Sequence, residues 1–110
     1  RVVAKTPASH KAHVGLGSSL FKTGQYNRAM KTFKQTLRLK PNDPMIRNLL
    51  AQSYYRIAAA QAEKGEIDQA IRNVQESLRI TPGNAQMTSY LKQLKTYQLK
   101  QTKVPTHLQR

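Results

Sequence analysis

FKTGQYNRAMKTFKQTLRLKPND, residues 21–43, decides the fold, because one run carries a helix end, a glycine turn, a whole amphipathic helix and its proline stop. Tyr26, Ala29, Met30, Phe33 and Leu37 step by three or four, which is the spacing of one helix face and not the alternation of a strand. Gly24 sits where the preceding helix must end, since glycine takes the left-handed C-cap conformation without a steric penalty. Pro41 follows the second helix and cannot continue it.

The run returns as QAEKGEIDQAIRNVQESLRITPGN, residues 61–84. Setting Gly24 on Gly65 brings Leu16 onto Ile57, Ala29 onto Ala70, Phe33 onto Val74, Leu37 onto Leu78 and Pro41 onto Pro82, at a constant separation of 41 residues. Ile67, Ala70, Ile71, Val74 and Leu78 repeat the helical stripe. Thr6-Pro7 and Asp43-Pro44 both read as an N-cap with proline at the first helical position, and Asn84 caps a last helix. The pattern predicts five helices, over 7–22, 26–39, 44–63, 67–80 and 85–101, with no strand. The tail KVPTHLQR has little periodic apolar content and is expected to fray.

These residues resemble the tetratricopeptide repeat, whose signature of Trp, Leu-Gly, Tyr, Ala, Phe and Pro spans about 34 residues. In a first copy, His10 to Asp43, His13 stands in the Trp place, Leu16-Gly17 match Leu-Gly, Leu20 takes the Tyr place, and Ala29, Phe33 and Pro41 match. In a second, Ala51 to Asn84, the same places hold Tyr54, Ile57-Ala58, Gln61, Ala70, Val74 and Pro82. Small residues such as Gly17, Ala29, Ala58 and Ala70 let two antiparallel helices approach, and the larger apolar ones fill the space around them. The resemblance implies an all-α fold, a right-handed superhelical stack of antiparallel helix pairs. Residues 1–9 enter the first helix, 10–43 form one repeat, 44–84 a second, 85–101 a capping helix and 102–110 a flexible tail. The last helix carries Met87, Tyr90, Leu91, Leu94 and Tyr97 on one face and Lys92, Lys95 and Lys100 on the other, which favours a cap over the start of a third repeat.

The interval departs from the family, whose tandem copies would place the second glycine seven residues earlier. The added block is PMIRNLL, residues 44–50. Seven residues are about two helical turns, so helix phase is nearly kept and the block lengthens the third helix by about 10 Å. Met45, Ile46, Leu49 and Leu50 are then expected to form a protruding apolar end, an extra interface to be covered by the segment around Val2, Val3 and Ala4, by a partner chain or by a further domain.

Length and composition bound the function. A chain of 110 residues holds one modest core. It opens on Arg1 with no apolar stretch of leader or membrane-spanning length near it, so it reads as a piece of a longer protein. The absence of cysteine removes disulfides, thiolate metal sites and a cysteine nucleophile, and leaves both a cytoplasmic and an envelope-associated location open. Lys and Arg number 19 against 5 acids, a net charge of +14, and every acid lies between Asp43 and Glu76. Such a field favours an acidic partner, nucleic acid or an anionic membrane surface, unless acidic sequence elsewhere balances it.

No constellation points to catalysis. GLGS, residues 15–18, follows no strand and lacks the remaining glycine of a phosphate loop. His10 and His13 share a helix face but want a third ligand, so no metal or cofactor is expected. Glu66 and Asp68 fall at the start of the fourth helix, where its dipole favours negative charge.

Binding is the better reading. In the family the first helix of each pair lines a concave groove for a peptide or a partner helix. The matching positions are Val14, Ser18, Phe21 and Lys22 on the first helix, Gln52, Tyr55 and Arg56 on the third, and Tyr90, Gln93 and Tyr97 on the last. Aromatics with an arginine are the residue types enriched at binding hot spots. Some family members grip a C-terminal carboxylate through a Lys-Asn-Asn-Lys-Arg set; the corresponding Val14, Ser18, Arg56, Gln86 and Tyr90 retain one cation, so that clamp is not expected. The sequence therefore describes a non-enzymatic protein-protein interaction module or scaffold, its partner an acidic or mixed apolar-acidic segment. Nucleic-acid or anionic-surface binding through Lys22, Lys31, Lys34, Arg38 and Lys40, and a homo-oligomer built on the extended third helix, are the alternatives.

Overall fold

In the computed structural model residues 7–102 are described, and they form five helices: α1 (Pro7–Lys22), α2 (Tyr26–Leu39), α3 (Pro44–Glu63), α4 (Ile67–Ile80) and α5 (Ala85–Thr102). No strand occurs among the described residues, and the all-α repeat architecture is as the sequence predicts. The expectations for Val2, Val3, Ala4, the Thr6 cap and the tail from Lys103 onward lie outside the described residues.

The turns are built by the residues that punctuate the sequence. Gly24 and Gly65 hold φ of +82° and +85°, the left-handed region, and let Gln25 N–H reach back to Leu20 O at 2.9 Å and Glu66 N–H to Gln61 O at 2.9 Å. At the start of α3, Asp43 Oδ1 accepts from the backbone N–H of Met45 and Ile46 at 3.0 and 3.3 Å. The other oxygen of that carboxylate lies 3.3 Å from His10 Nε2, so one acid caps α3 and ties it to α1. Asn84 caps α5 in the same way, accepting from Met87 N–H at 2.9 Å.

Helix contact in the first pair turns on Gly17. A Cβ at this position would lie 2.5 Å from Phe33 Cε1 and 2.8 Å from Cδ1, and Phe33 is fully buried. The equivalent positions of the second pair hold Ala58 and Val74, also fully buried. The larger residue on the second helix thus goes with the smaller one on the first, as dense packing requires. Ser77 and Thr36 are polar residues at equivalent buried positions, and both are satisfied. Thr36 Oγ1 donates to Thr32 O within its helix at 2.7 Å, and Ser77 Oγ donates across to Ala51 O of α3 at 2.7 Å. Near the Gly65 turn, Asn73 Nδ2 donates to Gln61 Oε1 at 2.7 Å, which gives the residue in the family's Tyr place a structural task.

The expected protruding apolar end of α3 is not found. Ile46 is fully buried and Leu50 is 5% exposed, Leu49 is half-buried against the core, and only Met45, at 54%, faces outward. Helix lengths give the reason. α3 has 20 residues while α2 and α4 have 14 each. α2 enters alongside α3 from its N-terminal end through the 40–43 turn, whereas α4 enters from its C-terminal end through the Gly65 turn, and α4 closes with Ile80 O accepting from Arg47 Nη2 at 3.3 Å. The two shorter helices therefore cover different, overlapping lengths of α3, and the added turns become core. Burying Ile46 and Leu50 stabilises the fold by about 1.5–3 kcal/mol each.

A second correction concerns Leu16, placed by the repeat pattern among core residues but 53% exposed. Its counterpart Ile57 is 7% exposed, because the first turn of α2, with Tyr26 and Asn27, borders the same hollow as Ile57, Ala60 and Gln61. No helix among the described residues precedes α1 to do this for Leu16.

Gly17→Ala should lower stability by ~1–3 kcal/mol through overpacking against Phe33, seen as a lower urea midpoint at unchanged slope. Gly15 has no atom within 4 Å of an added Cβ and lies in the same helix. Gly15→Ala should be neutral or stabilising by up to about 1 kcal/mol; equal losses in both variants would show that helix contact does not set the first position.

Candidate functional site

Gln52, Tyr55, Arg56 and Ala59 recur at intervals of three and one along α3, which places them on one face, away from the buried Ser53, Ile57 and Ala58. Because α4 returns the chain, α5 starts beside that face. Asn84, Gln86 and Met87 close a cleft with the four α3 residues. The wall between the two helices is the Tyr55–Tyr90 pair, packed edge to face with ring centroids 5.3 Å apart and planes at 72°. Both rings are half-buried and fill the helix contact; Tyr55 also lines the cleft, with Tyr90 behind it.

The cleft is positively charged. Arg56 is exposed and is the only charged residue that lines it, with Glu63 two turns further along α3. Burial, followed by the neighbouring Tyr55 and Glu63, pushes the Tyr90 hydroxyl above its ordinary value of 10, so it stays a neutral donor across the physiological range. The side-chain oxygen of Asn84 is engaged by the helix cap, and the amides of Gln52 and Gln86 supply both donors and acceptors. The set thus combines one cation, an aromatic ring and amide donors and acceptors. It contains no nucleophile with an adjacent base.

The structure gathers only part of the predicted groove. Gln52, Tyr55, Arg56 and Tyr90 come together. Gln93 and Tyr97 lie further along α5 in a separate shallow depression with Lys92, Thr96 and Lys100. On α1, Val14 and Phe21 are half-buried against the core, Phe21 standing edge-on to Tyr26 at 5.1 Å; Ser18 is half-buried and Lys22 exposed, and none of the four borders the cleft. Of Met45, Ile46, Leu49 and Leu50, expected as an extra interface, Ile46 and Leu50 lie in the core, Leu49 is half-buried and Met45 is exposed. Asn84 and Met87 were not among the predicted site residues, although the capping asparagine marks where the last helix starts, and that start is what meets Arg56.

Two acids of α4 have structural partners. Asp68 Oδ1 accepts from Gln98 Nε2 at 2.6 Å, bridging α4 to α5. Glu76 pairs with Arg79, whose hydrogen bond holds the Glu76 carboxyl below the usual range against the opposing effect of burial. Among the described residues no group of three or more His, Cys, Asp or Glu is placed to hold a metal, and no helix is long and apolar enough to cross a membrane.

A family model described as TPR repeat matches residues 3–57, half of the chain, and one described as tetratricopeptide repeat matches residues 51–84. Comparison with curated proteins finds no match. Among solved structures the chain is similar to the first TPR of Spaghetti (RPAP3) bound to the HSP90 peptide SRMEEVD, at 16% identity and a TM-score of 0.43, over 86% of this chain and 96% of that one.

With the Tyr55–Tyr90 contact formed, a spectrophotometric titration will show a late step from Tyr90 above its ordinary value, and Tyr90→Phe will remove that step. Its folded-state value is raised, so the contact's contribution to stability is present below pH 10 and is lost as pH rises through the higher folded value. A high-pH titration step left unchanged in Tyr90→Phe would show the pair to be open.

Proposed function

The chain belongs to the tetratricopeptide repeat family, a family of protein-interaction repeats, and from that premise we propose that the cleft between α3 and α5 binds a segment of a partner protein. The module is non-enzymatic: it holds a segment and leaves it chemically unchanged. The carrying observation is the Arg56 guanidinium. It is exposed at the cleft, is in ion-pair contact with no described acid, and stands one residue from the half-buried Tyr55 ring. A cation left unpaired beside an aromatic wall fits a ligand that brings its own carboxylate and an apolar side chain next to it, an acidic or mixed apolar-acidic segment.

α5 closes the stack rather than opening a further repeat. At the family's period of about 34 residues, Lys92 falls where the repeats have Gly17 and Ala58, and Lys95 where they have Leu20 and Gln61. Both lysines are exposed. A long cation at the close-contact position excludes a partner helix there, which supports residues 10–43 and 44–84 as two repeats and 85–101 as a cap.

Isothermal titration of the full chain against a panel of acidic-apolar peptides tests the site. Arg56→Ala and Tyr55→Ala should each weaken the best binder about tenfold or more, equivalent to about 1.4 kcal/mol. Lys22→Ala on α1 should leave it within about twofold. Unchanged affinity in both cleft variants would reject the cleft as the binding surface.

A further inference from the structure

The outer side of α2 has a charge pattern that neither the fold nor the cleft uses. Arg28, Lys31, Lys34 and Arg38 are all exposed and recur at intervals of three and four, so they share one side of the helix, opposite the buried Ala29, Thr32, Phe33 and Thr36. The fourteen residues of α2 contain no acid. The equivalent helix of the second repeat is balanced, since Asp68 and Glu76 stand against Arg72 and Arg79. Lys34 acts electrostatically on Glu76 of α4, an acid already engaged by Arg79. Arg28 donates to the neutral Gln25 Oε1 at 2.6 Å. Four like charges at these intervals oppose helix formation slightly, so the stripe is a small cost that the packing of α2 does nothing to require.

We propose that this stripe docks the protein on the phosphate backbone of double-stranded nucleic acid, without reading its sequence. Three features select that occupant. From Arg28 to Arg38 the helix rises about 15 Å, and one strand of a duplex presents a phosphate about every 3.4 Å along the axis, so roughly four phosphates lie opposite four cations. No aromatic side chain is exposed on the stripe to stack on an unpaired base, which disfavours single strands. No exposed apolar side chain lies among the cations either. A bilayer, which rewards inserted apolar area, and a protein partner, which needs a buried anchor, both gain less here than a polymer whose attraction is charge density alone. The surface is on the opposite class of helix from the α3–α5 cleft and is independent of it.

The test is fluorescence anisotropy of a short labelled DNA duplex and an RNA duplex with the full chain, between about 50 and about 200 mM salt. Four released counterions give a slope of log K against log salt of roughly −3.6, a loss of ~150-fold over that range. The double variant Lys31→Gln/Lys34→Gln should flatten the slope by roughly 1.8, reducing the loss to ~12-fold. Arg28→Gln/Arg38→Gln should do the same, which guards against one variant failing to fold, with circular dichroism as the check. Tyr55→Ala in the cleft should change neither slope nor affinity. The proposal is overturned by no duplex binding at the lowest salt, by a slope that both double variants leave unchanged, by tighter binding of a single strand than of the duplex, or by capture on phosphatidylserine-containing vesicles without duplex binding.

Discussion

Two helices of 14 residues, entering from opposite ends, have to cover one of 20 residues, and that constraint on α3 arranges the rest of the molecule. Had α3 the ordinary repeat length, α2 and α4 would lie nearly level on it. With two more turns they cover different lengths, and each meets a different set of α3 side chains. Ile46 and Leu50 are buried near the end that α2 enters; Ile57 and Ala58 are buried where both neighbours reach. The cross-links that fix the arrangement sit at the ends and middle of the same helix: His10 to Asp43 at the start, Arg47 to Ile80 O in the next turn, Ser77 to Ala51 O at the centre and Asn73 to Gln61 near the close.

The cleft follows from that geometry. α3 offers two faces to neighbours and keeps a third, Gln52, Tyr55, Arg56 and Ala59, on the side where α5 returns. Since α4 closes with Ile80 opposite Arg47, the 81–84 turn delivers Asn84 to the middle of α3, at the cleft that Arg56 lines. Placement of the first turn of α5 thus depends on where α4 ends along α3. The Tyr55–Tyr90 contact then sets the separation of the two helices that border the cleft.

The repeat offset carried most of the fold because it reports features that depend on a single residue and its backbone: glycine at positive φ, proline at a helix start or after a helix end, an acid or asparagine at a cap. Gly83, at φ of +87°, was not singled out, having no partner at the equivalent position of the first copy, where Asn42 stands. Burial was less legible. Leu16 and Ile57 are equivalent in pattern and opposite in exposure, because exposure is a property of whatever packs outside the pair. Ile46 and Leu50 looked unpartnered for the same reason: the pattern gives the length of α3 but not the stagger of its neighbours. The groove failed in part on α1, where Val14 and Phe21 turn towards the core; position within a repeat fixes a helix face, and the width of that face decides which of its edge residues reach solvent.

The distribution of charge is the remaining consequence. Only five acids oppose nineteen cations, and folding engages three of them: Asp43 in a cap and the His10 contact, Asp68 with Gln98, Glu76 with Arg79. Three of the five acids are therefore committed within the fold, and the cationic excess is left on surfaces the fold does not use. Arg56 at the cleft and the four cations of α2 are both products of this imbalance, but they differ in surroundings. Arg56 stands beside a half-buried aromatic ring and amides, which offer shape and hydrogen-bonding groups besides charge. The α2 stripe has only charge, spread along a straight line, and charge without a pocket favours a partner that is itself a line of charge.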